Sequence, residues 1–434
     1  MRKLLSTLIL VLFGLAICAQ TAYEEIRANI LCSASNYMAY PEPEQPVLTP
    51  APEGMRPFLL THYGRHGSRY HTREQMYDAP YQTLHRADSL GKLTALGRDV
   101  MRRLDRIRQD AKGRWGELTP LGALQHRQIA ARMWERFPEL FADGARVEAR
   151  STTKRRCVES MQSTLAELLS HNSRLQVDSM VSECDMDYLN HQNKRLMSMR
   201  FNKECMSVFL KYIGEHDDYS HLMNSLFCDT AYVSHHVNVR DFCFELLLVA
   251  AIMQNTELRH EVTLYDVFTL DEIYNVWKIG NVRWYLGWGA APVNGGVQPY
   301  SQCRLLRRII SDVDRCIASK DTHVQLRFGH DTVLLPLVCL LDINGFGLTT
   351  SDLDRLEDYG WINYRVFPMA ANLQLVFYRR HVDDPDVRFK VLLNESEATL
   401  PLPTDSPPYY RWRDFREYAL KRIADGESAL SLIR

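Results

Sequence analysis

The apolar stretch Pro57 to Leu60 reads as a strand and runs straight into Thr61-His62-Tyr63-Gly64-Arg65-His66-Gly67-Ser68-Arg69. A charged turn at the end of an apolar strand points to an α/β sheet, because such sheets place ligands at strand ends. Arginine offers a planar fork of donors matched to phosphate oxygens. Gly67 is expected to let the backbone turn tightly, so that Arg65, His66 and Arg69 converge on one anion. His66, between two permanent cations, is expected to stay neutral, and a neutral imidazole can attack phosphorus. The competing reading is a surface turn with solvated arginines.

One cationic turn does not hydrolyse a phosphomonoester, since the leaving alkoxide needs a proton and the metaphosphate-like charge needs donors on several sides. The run Ser151-Thr152-Thr153-Lys154-Arg155-Arg156-Cys157-Val158-Glu159-Ser160 sets a further arginine at a helix start, where free amides and the dipole favour anions. Arg156 in this run and Arg150, at the end of the preceding strand, are the two candidates; otherwise Lys154 to Arg156 form a solvated basic turn. A second strand end carries Phe328-Gly329-His330-Asp331-Thr332. There His330 is placed to donate to a phosphate oxygen opposite His66, and Asp331, once protonated, to the leaving oxygen. Such a pair at a helix start otherwise serves as a cap.

Strands alternate with helices at both ends of the chain. Tyr81 to Arg108 reads as a helical region, and Thr119 with Pro120 as the start of another helix. Val147 to Ala149 is a short strand, and Glu159 to Leu169 a helix. His323 to Phe328 alternates with the period of a strand and Asp331 to Leu341 is helical. Leu373 to Tyr378 and Val387 to Leu393 form two further strands, antiparallel across the turn at Asp383 to Asp386. The segment from His171 to Val282 is polar and helical, without a convincing strand. The expected architecture is α/β: a three-layer sandwich core with a mainly parallel sheet, interrupted by a mainly α-helical cap. Its divisions are a signal peptide over 1–19, an N-terminal segment and proline-rich lead-in over 20–54, core over 55–170, cap over 171–282 and core again over 283–434.

Arg2 and Lys3, the apolar run Leu8 to Ile17 and the small residues before Gln20 form a secretory signal, cleaved after Ala19. Lipidation of Cys18 is the alternative fate. An exported protein, periplasmic or extracellular, follows. No later segment has the uninterrupted apolar length of a membrane span, so no stable membrane association is expected. Without Arg2 and Lys3, 50 of the 52 basic side chains face 53 acidic ones, a net charge of −3 that gives no reason to expect nucleic acid. Cys18 leaves nine of the 10 cysteines behind, with no Cys-x-x-Cys pair, and zinc is not expected. Export permits disulfides, and Cys339 reads as a buried thiol.

The order Arg-His-Gly-x-Arg, Leu118-Thr119-Pro120-Leu121-Gly122, Arg156 four residues before Ser160, and a late His330-Asp331 resembles the acid-phosphatase and phytase branch of the histidine phosphatase superfamily. Phe328-Gly329-His330 with Leu334 to Leu337 downstream, and Val391 to Glu395, are similar to the multiple inositol-polyphosphate phosphatases. There is one departure: those enzymes usually carry His-Ala-Glu, whereas here the donor carboxylate is shorter and one position earlier. The resemblance implies a two-step hydrolysis with His66 as nucleophile and Asp331 as proton donor. It implies phosphate binding by Arg65, Arg69, Arg156 and His330, with no metal or cofactor and a small phosphomonoester as substrate. Phytate or a related inositol phosphate is the first expectation. A broad acid or sugar-phosphate phosphatase is the alternative, and a phosphate-binding protein without turnover is the reading of another class. Lys194 and Arg195, with Arg200 and Lys203 nearby, are placed to meet distal phosphates or else form a solvated helix face. Trp284, Tyr285 and Trp288 form a sugar-stacking surface or an interface core.

Overall fold

The structure, a computed structural model, describes residues 21–191, 193–319 and 323–432. The expected signal segment and Cys18 lie outside the described residues. One sheet of eight strands is formed among them: β1 (Arg56–Arg65), β2 (Arg146–Ser151), β3 (Gln176–Val181), β4 (His323–Gly329), β5 (Asn372–Arg379), β6 (Arg388–Leu393), β7 (Ser396–Ala398) and β8 (Tyr410–Arg411). The order is β3-β2-β4-β1-β5-β6-β7, with β8 on β6. β3, β2, β4 and β1 run parallel. β5 turns antiparallel against β1, and β6, β7 and β8 continue so.

Successive side chains of a strand point to opposite faces, and the apolar residues sort accordingly. Leu60, Val324, Leu326 and Phe328 pack with Ala130 and Met133 of helix Pro120–Arg136 and with Met161, Leu165 and Leu168 of helix Arg155–His171. On the other face Leu59, Leu375 and Phe377 pack with Leu306, Ile310 and Val313 of helix Cys303–Ser319, Leu334 and Leu337 of helix Asp331–Leu340, and Phe415 of helix Trp412–Leu432. Helices thus cover both faces, giving three layers. Burying β4 also buries Arg327, whose Nη2 lies 2.6 Å from Asp312 Oδ2 and whose Nη1 donates to Thr61 Oγ1 at 2.7 Å.

One sequence expectation needs correction. β3 lies within the segment read as strandless. It is an edge strand, largely exposed and paired only to β2, so its place is set by backbone bonds that leave little apolar pattern. The helical region Tyr81 to Arg108 is made of two helices, Gln75–Ser89 and Ala95–Ala111; Gly91 sits between them with φ +65°, and Thr94 caps the second by accepting from Gly97 N. These two helices also share an apolar cluster with Val239–Met253 and Leu270–Trp288. The apolar cluster beside the sandwich is therefore shared by helices from before and after residue 170.

Arg327 and Asp312 are each 3% exposed. Asp312→Ala strands a buried guanidinium and is expected to cost about 3–5 kcal/mol, read as a lower urea midpoint at unchanged slope. A loss under about 1 kcal/mol would mean that water reaches Arg327 after all.

Candidate active site

The parallel register sets Arg65 beside Gly329 and Ser151 beside Phe328, so β1, β4 and β2 end together. The residues that follow them, His66, His330 and Thr152, therefore meet at one edge of the sheet. His66 N donates to Gly329 O at 3.0 Å, and its own carbonyl accepts from Ala370 N at 3.0 Å. Helix Pro120–Arg136 docks on this turn: Thr119 N donates to Ser68 O at 2.9 Å, and Gln125 Oε1 accepts from Ser68 N at 2.9 Å. Gly67 does not have the left-handed backbone that its role as a turn residue suggested. It is needed for closeness, because a Cβ there would lie 2.4 Å from Gly122 O, and one at Gly122 would lie 2.3 Å from Ser68 O. Ser160 Oγ accepts from Gly67 N at 3.1 Å and donates to Arg156 O at 2.8 Å, tying the helix that carries Arg156 to the turn that carries His66.

His66 Nδ1 lies 2.9 Å from Gly67 O. A carbonyl only accepts, so Nδ1 carries the hydrogen and Nε2 keeps its lone pair. Burial, and then Arg65, Arg156, Arg69 and His330, hold the pKa of this imidazole well below its ordinary value. Desolvation thus leads, and the cations invoked from sequence come second. The His330 ring is 5.8 Å from that of His66, centroid to centroid. His330 Nε2 is 3.3 Å from Thr152 Oγ1, its backbone N donates to Tyr63 Oη at 3.2 Å, and burial with Arg156 brings its pKa down to about 4.

The arginines are short of partners. Arg65 is fully buried, with Nη1 donating to Asn36 O at 2.5 Å and Phe367 O at 2.7 Å and Nη2 lying 2.8 Å from Asp331 Oδ2. Arg69 donates from Nη1 to Tyr70 O at 2.8 Å. Yet the Nε atoms of Arg65, Arg69 and Arg156 are all buried without a hydrogen-bond partner. Each such donor costs about 1–3 kcal/mol. Burial pushes the Arg65 pKa down to about 10 and lowers that of Arg156 as well.

Asp331 opens its helix, with Oδ1 accepting from Thr332 N at 2.9 Å and Oδ2 from Asn36 Nδ2 at 3.0 Å. Burial pushes its carboxyl up, but Arg65, the Asn36 bond, Arg69 and His330 together hold it below the ordinary value, so it is a carboxylate while no anion is bound. Asn36 is the residue that sequence reasoning missed. It lies in the N-terminal segment ahead of the proline-rich lead-in, and an isolated asparagine carries no signal; the fold brings it in after Ser35, at φ 56°.

The structure gathers Arg65, His66, Arg69, Arg156, His330 and Asp331. It leaves Arg150 outside, paired at 2.8 Å with Oδ2 of Asp178 on β3. Lys194 and Arg195 are exposed and are not in the walls of the two cavities beside Thr332, whereas Arg200, at the end of their helix, lines the smaller of these. A cavity of 630 Å³ opens over the site, with Asn36, Arg69 and Asp331 in its wall together with Arg283, Trp284 and Trp288. Among the described residues no cluster of His, Cys, Asp and Glu gathers as a metal site, and no helix is long and apolar enough to cross a membrane.

Residues 64–394 match the family model described as histidine phosphatase superfamily (branch 2). Human multiple inositol polyphosphate phosphatase 1 is 24% identical over 313 residues, a match taking in 66% of this chain and 62% of the human protein. This chain therefore spans less than two thirds of that relative. The Bifidobacterium longum multiple inositol polyphosphate phosphatase, solved in complex with inositol hexasulfate, superposes with a TM-score of 0.72 at 18% identity, over 87% of this chain and 95% of the other. The phytase of D. castellii gives 0.68 at 14%, over 91% and 85%. At these identities the two structures speak for the fold.

Donors left unpaired for an anion imply that inorganic phosphate stabilises the folded protein, by about 2.7 kcal/mol at a hundred times its Kd. Thermal unfolding with and without phosphate measures this. Arg156→Met is expected to weaken the phosphate effect by about tenfold or more in Kd.

Proposed function

The chain belongs to branch 2 of the histidine phosphatase superfamily, and from that premise we propose that it hydrolyses phosphomonoesters through a phosphohistidine, with phytate and other inositol polyphosphates as substrates. The observation that carries this reading is the set of three buried guanidinium Nε–H groups without partners around an imidazole kept neutral. Nε2 of His66 attacks phosphorus; the N–P bond forms as the bond to the leaving oxygen breaks, and Asp331 gives that oxygen a proton. Asp331 then takes a proton from water, whose oxygen attacks phosphorus; the N–P bond breaks and phosphate leaves. Arg65, Arg69, Arg156 and His330 hold the phosphoryl oxygens throughout. Their charge is already in place before reaction, which is where electrostatic catalysis draws its strength.

The substrate class is supported by the likeness to inositol polyphosphate phosphatases and by the size of the cavity. Export completes the reading, supported by the signal pattern of Met1 to Ala19. A broad acid phosphatase is the second reading, and one observation favours it: Phe209, Tyr219, Phe244 and Trp277 also line the cavity and offer an apolar wall to a leaving group.

Acid-quench trapping with inositol hexakisphosphate tests the chemistry. An acid-labile phosphoenzyme is expected in the intact protein and none in His66→Ala, whose turnover is lost; preference for glucose 1-phosphate over the hexakisphosphate would favour the second reading. Arg156→Met is expected to slow turnover by about one to two orders of magnitude. The pH profile has a sign. In the free enzyme the arginines hold the Asp331 pKa down, and a bound phosphate dianion offsets them, so the pKa rises on binding. Activity needs the proton, so kcat, which reports the complex, is expected to persist to higher pH than kcat/KM, which reports the free enzyme. Coincident profiles would count against Asp331 as the donor.

A further inference from the structure

We infer that Asn36, on the segment ahead of the first strand, is a positioning residue for the proton transfer: it holds Oδ2 of Asp331, so that Oδ1 is the oxygen that carries the proton to the leaving group. This rests on the function proposed above and goes beyond it by assigning a residue outside the sequence motifs and one oxygen of the carboxyl.

The turn Ile30–Tyr37 and the residues just after it are fastened to the site at several points. Asn36 O accepts from Arg65 Nη1 at 2.5 Å. Tyr37 O accepts from Asn255 Nδ2 at 2.7 Å, and Oδ1 of the same fully buried Asn255 accepts from Ser68 Oγ at 2.6 Å, inside the Arg65 to Arg69 motif. Met38 O accepts from Met369 N at 2.7 Å, one residue before Ala370, whose N bonds to His66 O. The Tyr37 ring meets that of His71 edge-on and has the Arg69 guanidinium carbon 5.5 Å from its centroid. Ser35 enters this stretch at φ 56°, a backbone uncommon outside glycine that persists where the surroundings fix it. With its neighbours tied on both sides, Asn36 brings its amide to Asp331 in one place.

The two oxygens of Asp331 stand in different company. Oδ2 has Arg65 Nη2 at 2.8 Å and accepts from Asn36 Nδ2 at 3.0 Å, whereas Oδ1 accepts from Thr332 N at 2.9 Å. A carboxylate oxygen has two lone-pair sites. Both of those on Oδ2 face groups that only donate, so a proton there would point at hydrogens, and among the described residues one site on Oδ1 is left for it. When the O–H bond at Oδ1 breaks toward the leaving oxygen, its electron pair stays on the carboxyl, and the charge that develops is met at Oδ2 by Arg65 and Asn36. A hydrogen bond to a charged acceptor is the stronger kind, so the Asn36 bond strengthens as the proton departs and favours the transfer itself.

Asn36→Leu removes the amide, and Asn36→Ala does so with less bulk; thermal unfolding checks that both fold. The rate to compare is kcat/KM, which covers the steps up to loss of the leaving group, on two esters: glycerol 2-phosphate, whose alkoxide needs a proton, and p-nitrophenyl phosphate, whose nitrophenolate leaves without one. The loss on glycerol 2-phosphate is expected to exceed that on p-nitrophenyl phosphate by about tenfold. In the free enzyme the Asn36 bond favours the carboxylate, so its removal is expected to move the alkaline limb of kcat/KM on glycerol 2-phosphate to higher pH even as the rate falls. Arg65, Arg69, Arg156, His330, Tyr63 and Cys157 also act on this carboxyl and remain in both variants, so the displacement belongs to Asn36. Equal losses on the two esters, or a limb left in place, overturn the inference, because Asn36 then serves the fold or the phosphoryl group. Asp331→Asn keeps this apart from the proposed function: if that variant loses no more on glycerol 2-phosphate than on p-nitrophenyl phosphate, the donor reading itself fails and the inference falls with it. If it does lose more, adding Asn36→Leu to it is expected to cost about twofold or less, and a full further loss overturns the inference alone.

Discussion

Guanidinium charge taken out of water governs this molecule, and neighbouring strands treat it in opposite ways. On β4, Arg327 is closed off by Asp312 and Thr61, so the charge is spent inside the core. On β1, Arg65 is buried more completely but keeps Nε without a partner, as do Arg69 and Arg156. The contrast matters because buried donors are nearly always satisfied. A chain able to complete one buried arginine and leaving three others incomplete at a single point has stored binding capacity there, held in place by the stability of the sandwich around it.

That capacity depends on backbone closeness. Gly67 and Gly122 let the loop after β1 and the helix after Thr119 touch at distances that no side chain allows. Ser160 then bonds to both the turn and the carbonyl of Arg156. These contacts fix where the arginines sit before any ligand arrives. The same packing removes water from His66, and burial does more than the surrounding cations to keep its imidazole neutral. The neutral imidazole and the incompletely paired guanidinium groups around it are therefore products of one act of burial.

How much of this was legible varied with the physics of each element. β1, β4, β5 and β6 were readable because buried strands write apolar runs or alternation into the sequence. β3 was not, because an edge strand held by backbone bonds to one neighbour needs no such pattern. The site motifs at Arg65 to Arg69, Arg156 and His330-Asp331 were readable because charged residues at strand ends and helix starts are out of place unless they serve something. Arg150 misled for the same reason: it too ends a strand, but β3 supplies Asp178 to satisfy it. Asn36 and Arg200 were hidden or only glimpsed, since their meaning lies wholly in what the fold sets beside them.

The sequence by itself determined the residue types of the chemistry, their order along the chain and the alternation that makes an α/β sandwich, because side-chain chemistry and apolar period are local properties. Only the tertiary structure decided which arginine joins Arg65 and Arg69 beside His66, that Gly67 serves close approach, that Asn36 bonds to Asp331, and that Arg200 lacks a counter-ion among the described residues. Those outcomes depend on which groups are brought together and which are cut off from water, and neither proximity nor desolvation is a property of any stretch of chain alone.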